Sequence, residues 1–176
     1  LVLVHDQSGL VVKRYMGAET LFHDLSHSLG PGSITVDGRK TTVSAELKEL
    51  NSGLEEGKAD IMGVWNILFM MDKGELPAAE APQVWATYFV GIFRAVRFGI
   101  DEAHGQGAAM QYGYLKEKGA FEWVPAQQRF RVNFDRMEQG IRDLTADLVR
   151  LQGNGDYERT KAFFDLHEPG SRRFPV

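Results

Sequence analysis

The chain contains no cysteine, which removes disulfides and thiolate chemistry and leaves His, Asp and Glu to hold any transition metal. It has no apolar run of the roughly 18 residues needed to cross a bilayer, and no basic-then-apolar leader is visible. A basic field is missing as well. The net charge is -4 with both signs interspersed, so no stripe of Lys and Arg is available to track a phosphate backbone. Nucleic acid and membrane are therefore not expected as partners, and a cytoplasmic location is expected. Repeats, low-complexity tracts and internal linkers are also absent from the sequence.

What is present is a hydrophobic content of 43% over 176 residues, enough to bury a core in one unit spanning 1–176. The opening "LVLVHDQSGLVV" starts without methionine inside an alternating apolar run. It predicts a strand, a turn at Gly9 and a second strand, in a chain expected to be a piece of a longer protein.

Helical periodicity dominates the rest. Helices are predicted from about 18 to 29, ended by the Gly-Pro-Gly at 30–32, and from an N-cap at Ser44 to Asp72, with Leu47, Leu50, Leu54, Ile61, Val64 and Leu68 on one stripe. Further helices are predicted at 81–98, 101–118, 134–152 and 157–166. "TVDGRKTTV" reads as a turn or short hairpin around Asp37 and Gly38, "AFEWVPAQQRFRVN" as two short strands, and the Pro-, Gly- and Arg-bearing end as a frayed tail. The fold class is mainly α with short β-hairpins.

The chemistry concentrates in "LFHDLSHSLGPG". His23 and His27 are four residues apart, so on a helix their imidazoles project from one face and can share a zinc ion. Two ligands are too few for a catalytic zinc, which takes three protein ligands and keeps a position open. "LEEGKAD" offers Glu56 as a third ligand from a second helix. Asp60, one turn on, can accept the N–H of a ligating histidine and fix its tautomer. Gly53 and Gly63 on much the same face would let that helix come close. The plain alternatives are a chance histidine pair and a solvated charged helix face.

Beyond these residues, "HDLSH" followed by "LGPG" and "EEGKAD" resembles the dipeptidyl peptidase III family of zinc metallopeptidases, in its bacterial form with the shorter histidine spacing. "ELKELNSGLEEGKADIMG", "TYFVGIFRAVRFGI" and "EAHGQGAAMQYGYL" extend the resemblance over about 4–164. It implies a helical catalytic lobe of a two-lobed enzyme that uses one zinc ion to release dipeptides from the amino ends of short peptides, with an upstream lobe of the same protein as partner.

By the resemblance His23, His27 and Glu56 are the zinc ligands and Asp24 stands where the family has its catalytic glutamate. His104 matches a histidine that hydrogen-bonds the oxyanion, and Gly105 and Gly107 beside it either leave room for substrate or permit close helix packing. Asp24 departs from the family, being one methylene shorter than glutamate. Three classes follow from these residues: a zinc exopeptidase retuned or weakened at Asp24, an inactive zinc protein that binds peptides, and a helical module in which the ligand pattern is accidental.

Overall fold

The computed structural model describes residues 2–97 and 99–168. Its elements are α1 (His5–Ser8), α2 (Lys13–Ser26), β1 (Ser33–Val36), β2 (Arg39–Thr42), α3 (Val43–Leu47) and α4 (Leu50–Asp72). After a 3-10 turn come α5 (Ala81–Val96), α6 (Ala103–Glu117), β3 (Phe121–Val124), β4 (Arg129–Val132), α7 (Phe134–Asn154) and α8 (Tyr157–His167). The mainly α class with two antiparallel hairpins is what the periodicity predicts. The expected frayed tail at 169–176 lies outside the described residues, as does Phe98, where the third long helix was expected to end.

Two expectations are corrected. The amino-terminal run is not a pair of strands: only Leu3 makes an isolated parallel bridge, to Phe130, and the chain then turns into α1. A side chain replaces the second strand. Gln7 donates from Nε2 to the Val132 carbonyl (2.9 Å) and accepts the Val132 N–H at Oε1 (2.8 Å), so one glutamine amide does the pairing that a peptide group would do. The long helix is likewise not continuous from Ser44. Thr42, not Ser44, caps α3 by accepting the Ala45 N–H, and Lys48 at φ 51° breaks the chain before α4 begins.

The predicted turn at Asp37 and Gly38 is a two-residue hairpin loop with positive φ at both positions (49° and 76°), the geometry that matches strand twist. The β3–β4 hairpin packs Phe121 and Phe130 against Phe89 of α5 and Tyr112 of α6, with Phe89–Phe121 ring centroids 4.6 Å apart.

α4 is the central element. Leu54, Ile61, Val64, Ile67 and Leu68 bury its apolar stripe in one cluster that includes Phe89, Met110, Leu115, Met137, Ile141, Leu144 and Leu148. α2, α6 and α7 pack around it. No helix among the described residues is long and apolar enough to cross a membrane.

Two crossings of α4 depend on the absence of side chains. At Gly63 a Cβ would lie 3.0 Å from the His23 backbone nitrogen and 3.3 Å from its Cα, so α2 rests on bare α4 backbone at the first histidine. At Gly57 and Gly107, α4 and α6 meet glycine to glycine: a Cβ on Gly107 would lie 2.7 Å from the Gly57 nitrogen and 3.0 Å from its Cα. Gly53 faces Gln106 of α6 rather than α2. The α2 and α6 backbones are thereby held against the stretch of α4 that carries Glu55, Glu56 and Asp60.

Candidate metal centre

His23 lies in the last turn of α2, and His27 is its C-cap with dihedrals still helical (φ -62°, ψ -28°), so the four-residue spacing does bring both rings to one face. Buried Lys58 fixes that helix end. Its Nζ donates to the carbonyls of Ser26 (2.7 Å) and Leu29 (2.8 Å) and pairs with Glu55 Oε1 (2.8 Å), placing positive charge at the negative end of α2.

Each imidazole is held from behind by a carboxylate of α4. His23 Nδ1 is 2.7 Å from Asp60 Oδ1, and His27 Nδ1 is 3.0 Å from Glu55 Oε1. Carboxylates accept, so in the neutral rings Nδ1 carries the proton and both Nε2 atoms present lone pairs. These two nitrogens face each other at 3.1 Å. Glu56 Oε2, shielded from solvent and without a properly directed hydrogen-bond donor, is 3.4 Å from His23 Nε2 and 3.7 Å from His27 Nε2.

Three electron-pair donors thus converge with no proton assigned between them. Ligands about 2.0–2.1 Å from a tetrahedral zinc stand about 3.4 Å from one another. The distances 3.1, 3.4 and 3.7 Å bracket that value, so these three residues fit a zinc ion.

His104, in the first turn of α6, brings Nδ1 to 2.9 Å from the same Glu56 oxygen, while its side chain is 63% exposed. His23, Glu56 and His104 form a second candidate cluster with ligand atoms within 4.8 Å of one another. The set with His27 is the better zinc triangle, because all three of its edges lie near the tetrahedral value and both of its imidazoles are oriented by carboxylates. His104 keeps Nε2 for another partner.

Asp24 is exposed on α2 between the two histidines. Gly107 is buried against Gly57 of α4, and Gly105 is buried against the backbone of Gly99 and Ile100 in the connection from α5, so both glycines are occupied by close backbone contacts.

The electrostatics favour a cation. The hydrogen bond to Asp60, with the nearby charges of Asp60, Glu56 and Asp24, raises the His23 pKa against the opposing effect of burial. Burial alone would raise Glu55, but hydrogen bonds from Lys58, His27 and Gln152 outweigh it and hold its carboxyl below the usual range. Glu19, one turn before His23, is pushed well up by burial and by the charge of Asp60, and its Oε1 has no hydrogen-bond partner.

Glu55, Lys58 and Gln111 were not singled out in the sequence, though position could have marked two of them. Lys58 falls between Leu54 and Ile61 on the buried stripe of α4, where a lysine must find buried acceptors. Gln111 stands seven residues after His104, two turns along the same face of α6.

A mainly helical unit with a His/His/Glu centre built across two helices is the class that fold and site define. No family model matches the chain. It is similar to the structure of DPP III from Caldithrix abyssi, with a TM-score of 0.93 and 44% identity over 97% of this chain and 32% of that one. It is also similar to dipeptidyl-peptidase III from Corallococcus sp. strain EGB, with a TM-score of 0.90 and 35% identity over 96% of this chain and 31% of that one. In sequence it is 38% identical over 157 residues to Nudix hydrolase 3 from Arabidopsis thaliana, a match covering 89% of this chain and 20% of that protein. The chain spans about a third of the two solved structures and about a fifth of the plant protein. The plant protein's name therefore describes a molecule most of which lies outside the match.

Proposed function

We propose that the chain is the metal-holding helical lobe of a zinc peptidase of the dipeptidyl peptidase III family, which releases dipeptides from the amino ends of short peptides. The observation that carries this reading is the convergence of His23 Nε2, His27 Nε2 and Glu56 Oε2 at tetrahedral spacing, in a segment whose fold is that of the DPP III structures. Zinc, when bound there, supplies Lewis acidity that lowers the pKa of water towards neutrality and polarises a carbonyl.

The remaining steps belong to this chain's own side chains. Asp24 takes the proton of the attacking water on its carboxylate and passes it to the leaving amine. His104, whose Nδ1 lies 2.9 Å from Glu56, is the side chain that donates an imidazole N–H to the carbonyl oxygen as negative charge develops on it. Asp60 and Glu55 keep the two ligand rings in the tautomer that leaves Nε2 free.

One feature favours a second reading. Aspartate at 24 is shorter than glutamate by a methylene, roughly an ångström of reach, and errors of about 1 Å can cost about a hundredfold in rate. The alternative is a zinc protein that binds peptides without cleaving them. The intact protein should liberate naphthylamine from a dipeptidyl naphthylamide, stop when zinc is chelated, resume when zinc is returned, and leave an amino-blocked substrate untouched. Stoichiometric zinc with no turnover would select the alternative.

A further inference from the structure

Gln111 is fully buried on α6, and every polar atom of its side chain is engaged. Nε2 donates to the Gly107 carbonyl (3.1 Å) and to Asp60 Oδ2 (3.2 Å), while Oε1 accepts from the Tyr88 hydroxyl (2.7 Å). A backbone carbonyl only accepts, so the amide has one possible orientation: the nitrogen faces Gly107, and the same nitrogen must face Asp60. Tyr88, buried on α5, secures the other end of the amide.

Asp60 consequently carries one hydrogen bond on each oxygen, from α6 at Oδ2 and from α2 at Oδ1, where His23 Nδ1 lies 2.7 Å away. The terminal torsion of an aspartate is intrinsically broad and roughly two-fold. Nothing within the side chain itself holds the carboxylate plane that points Oδ1 at His23. The α6 amide supplies that restraint, and it is itself held at both ends, by the Gly107 carbonyl of its own helix and by Tyr88 of α5.

We propose that Gln111, oriented by Tyr88, is a positioning residue that fixes the plane of Asp60 and thereby keeps His23 as the Nδ1–H tautomer with Nε2 free for metal. The inference rests on the zinc reading of the site, and it adds α5 and α6 to the elements that determine metal affinity. Gln111 touches neither metal nor substrate. Its effect passes entirely through Asp60.

The test uses the intact protein with Gln111→Met, which keeps the bulk and removes the amide, and Tyr88→Phe, which removes only the hydroxyl and should disturb packing least. Zinc dissociation constants are measured by competition with a chelator, and the His23 ring nitrogens are followed by 15N NMR in metal-free protein. Gln111→Met should weaken zinc about 10-fold, Tyr88→Phe should weaken it less, and both should move His23 from the single Nδ1–H form towards a mixture. In an Asp60→Ala background Gln111→Met should add nothing, since the two act in series. Unchanged zinc affinity and an unchanged His23 tautomer in both variants would overturn the proposal. So would a Gln111→Met loss that persists undiminished without Asp60. A wild-type protein that takes up no zinc defeats the metal reading instead, and the metal-free tautomer comparison still decides the role of Gln111.

Discussion

At the scale of residues, Asp24 is where sequence and chemistry pull apart. It stands between His23 and His27 on α2, exposed, with a carboxylate one methylene shorter than that of glutamate. If reach is the only defect, Asp24→Glu should raise kcat about 10-fold or more, because proton transfer is steeply sensitive to distance. Asp24→Ala should lose turnover and keep its zinc. Measuring kcat for the three side chains at equal zinc occupancy decides this, and a glutamate variant no faster than alanine would place the fault elsewhere. Lys58 is the other single residue on which much depends. Replacing it with Met leaves two carbonyls of the α2 end without their donor and removes one of the three partners of Glu55, so a loss of about 1–3 kcal/mol is expected in urea unfolding. A variant within about 0.5 kcal/mol of wild type would show that water replaces the ammonium there.

At the scale of elements, helix approach sets the site. Gly107→Ala puts a methyl group against the Gly57 backbone, which has no flexible side chain to move aside, so α4 and α6 must separate. Overpacking of this kind costs about 1–3 kcal/mol. The variant should melt lower and draw both His104 from Glu56 and Gln111 from Asp60. Zinc should therefore bind more weakly and kcat should fall, and equal melting temperatures would contradict the close-contact reading.

α8 offers an independent check through pH. Burial lowers the pKa of His167, seated against the rings of Tyr114 and Phe163, although Glu117, 3.3 Å away, and Asp147 pull it the other way. A base with a depressed folded pKa is protonated first in the unfolded chain. Its cost is absent above the unfolded value of about 6.5 and grows as pH falls below it. Between pH 7.5 and 5.5 the wild type should lose more urea stability than His167→Leu, and parallel losses would remove His167 as a cause.

The elements also show what could be read from the sequence. The predicted bounds of α5 through α8 and the end of α4 lie within about two residues of the observed ones. Sequence reading failed at the amino terminus, where the Leu3 bridge to β4 is continued at Val132 by the side chain of Gln7, an interaction between residues 125 apart that leaves no local pattern. It also ran α3 into α4, because the stripe continues across Lys48 and only the positive φ of that residue reveals the break. The proximity of His23, His27, Glu56 and Asp60 was legible from two four-residue spacings. Glu55, Gln111 and Tyr88 were not, since their roles depend on how α2, α5 and α6 cross α4, and glycines at the crossings do not announce which neighbour they admit.

At the scale of the whole molecule, the centre ties α2 to α4 through side chains whose supports come from α4, α5, α6 and α7. A ligand that binds only the folded chain stabilises it by about 2.7 kcal/mol at a hundred times its dissociation constant. The melting temperature should therefore rise with zinc. The most direct measurement is elemental zinc in the intact protein after dialysis, for wild type, His27→Ala and His104→Ala side by side. One zinc per chain in wild type and in His104→Ala, with less than about a tenth of that in His27→Ala, is the expected result. Zinc kept without His27 and lost without His104 would contradict it, and would put the metal in the triangle of His23, Glu56 and His104.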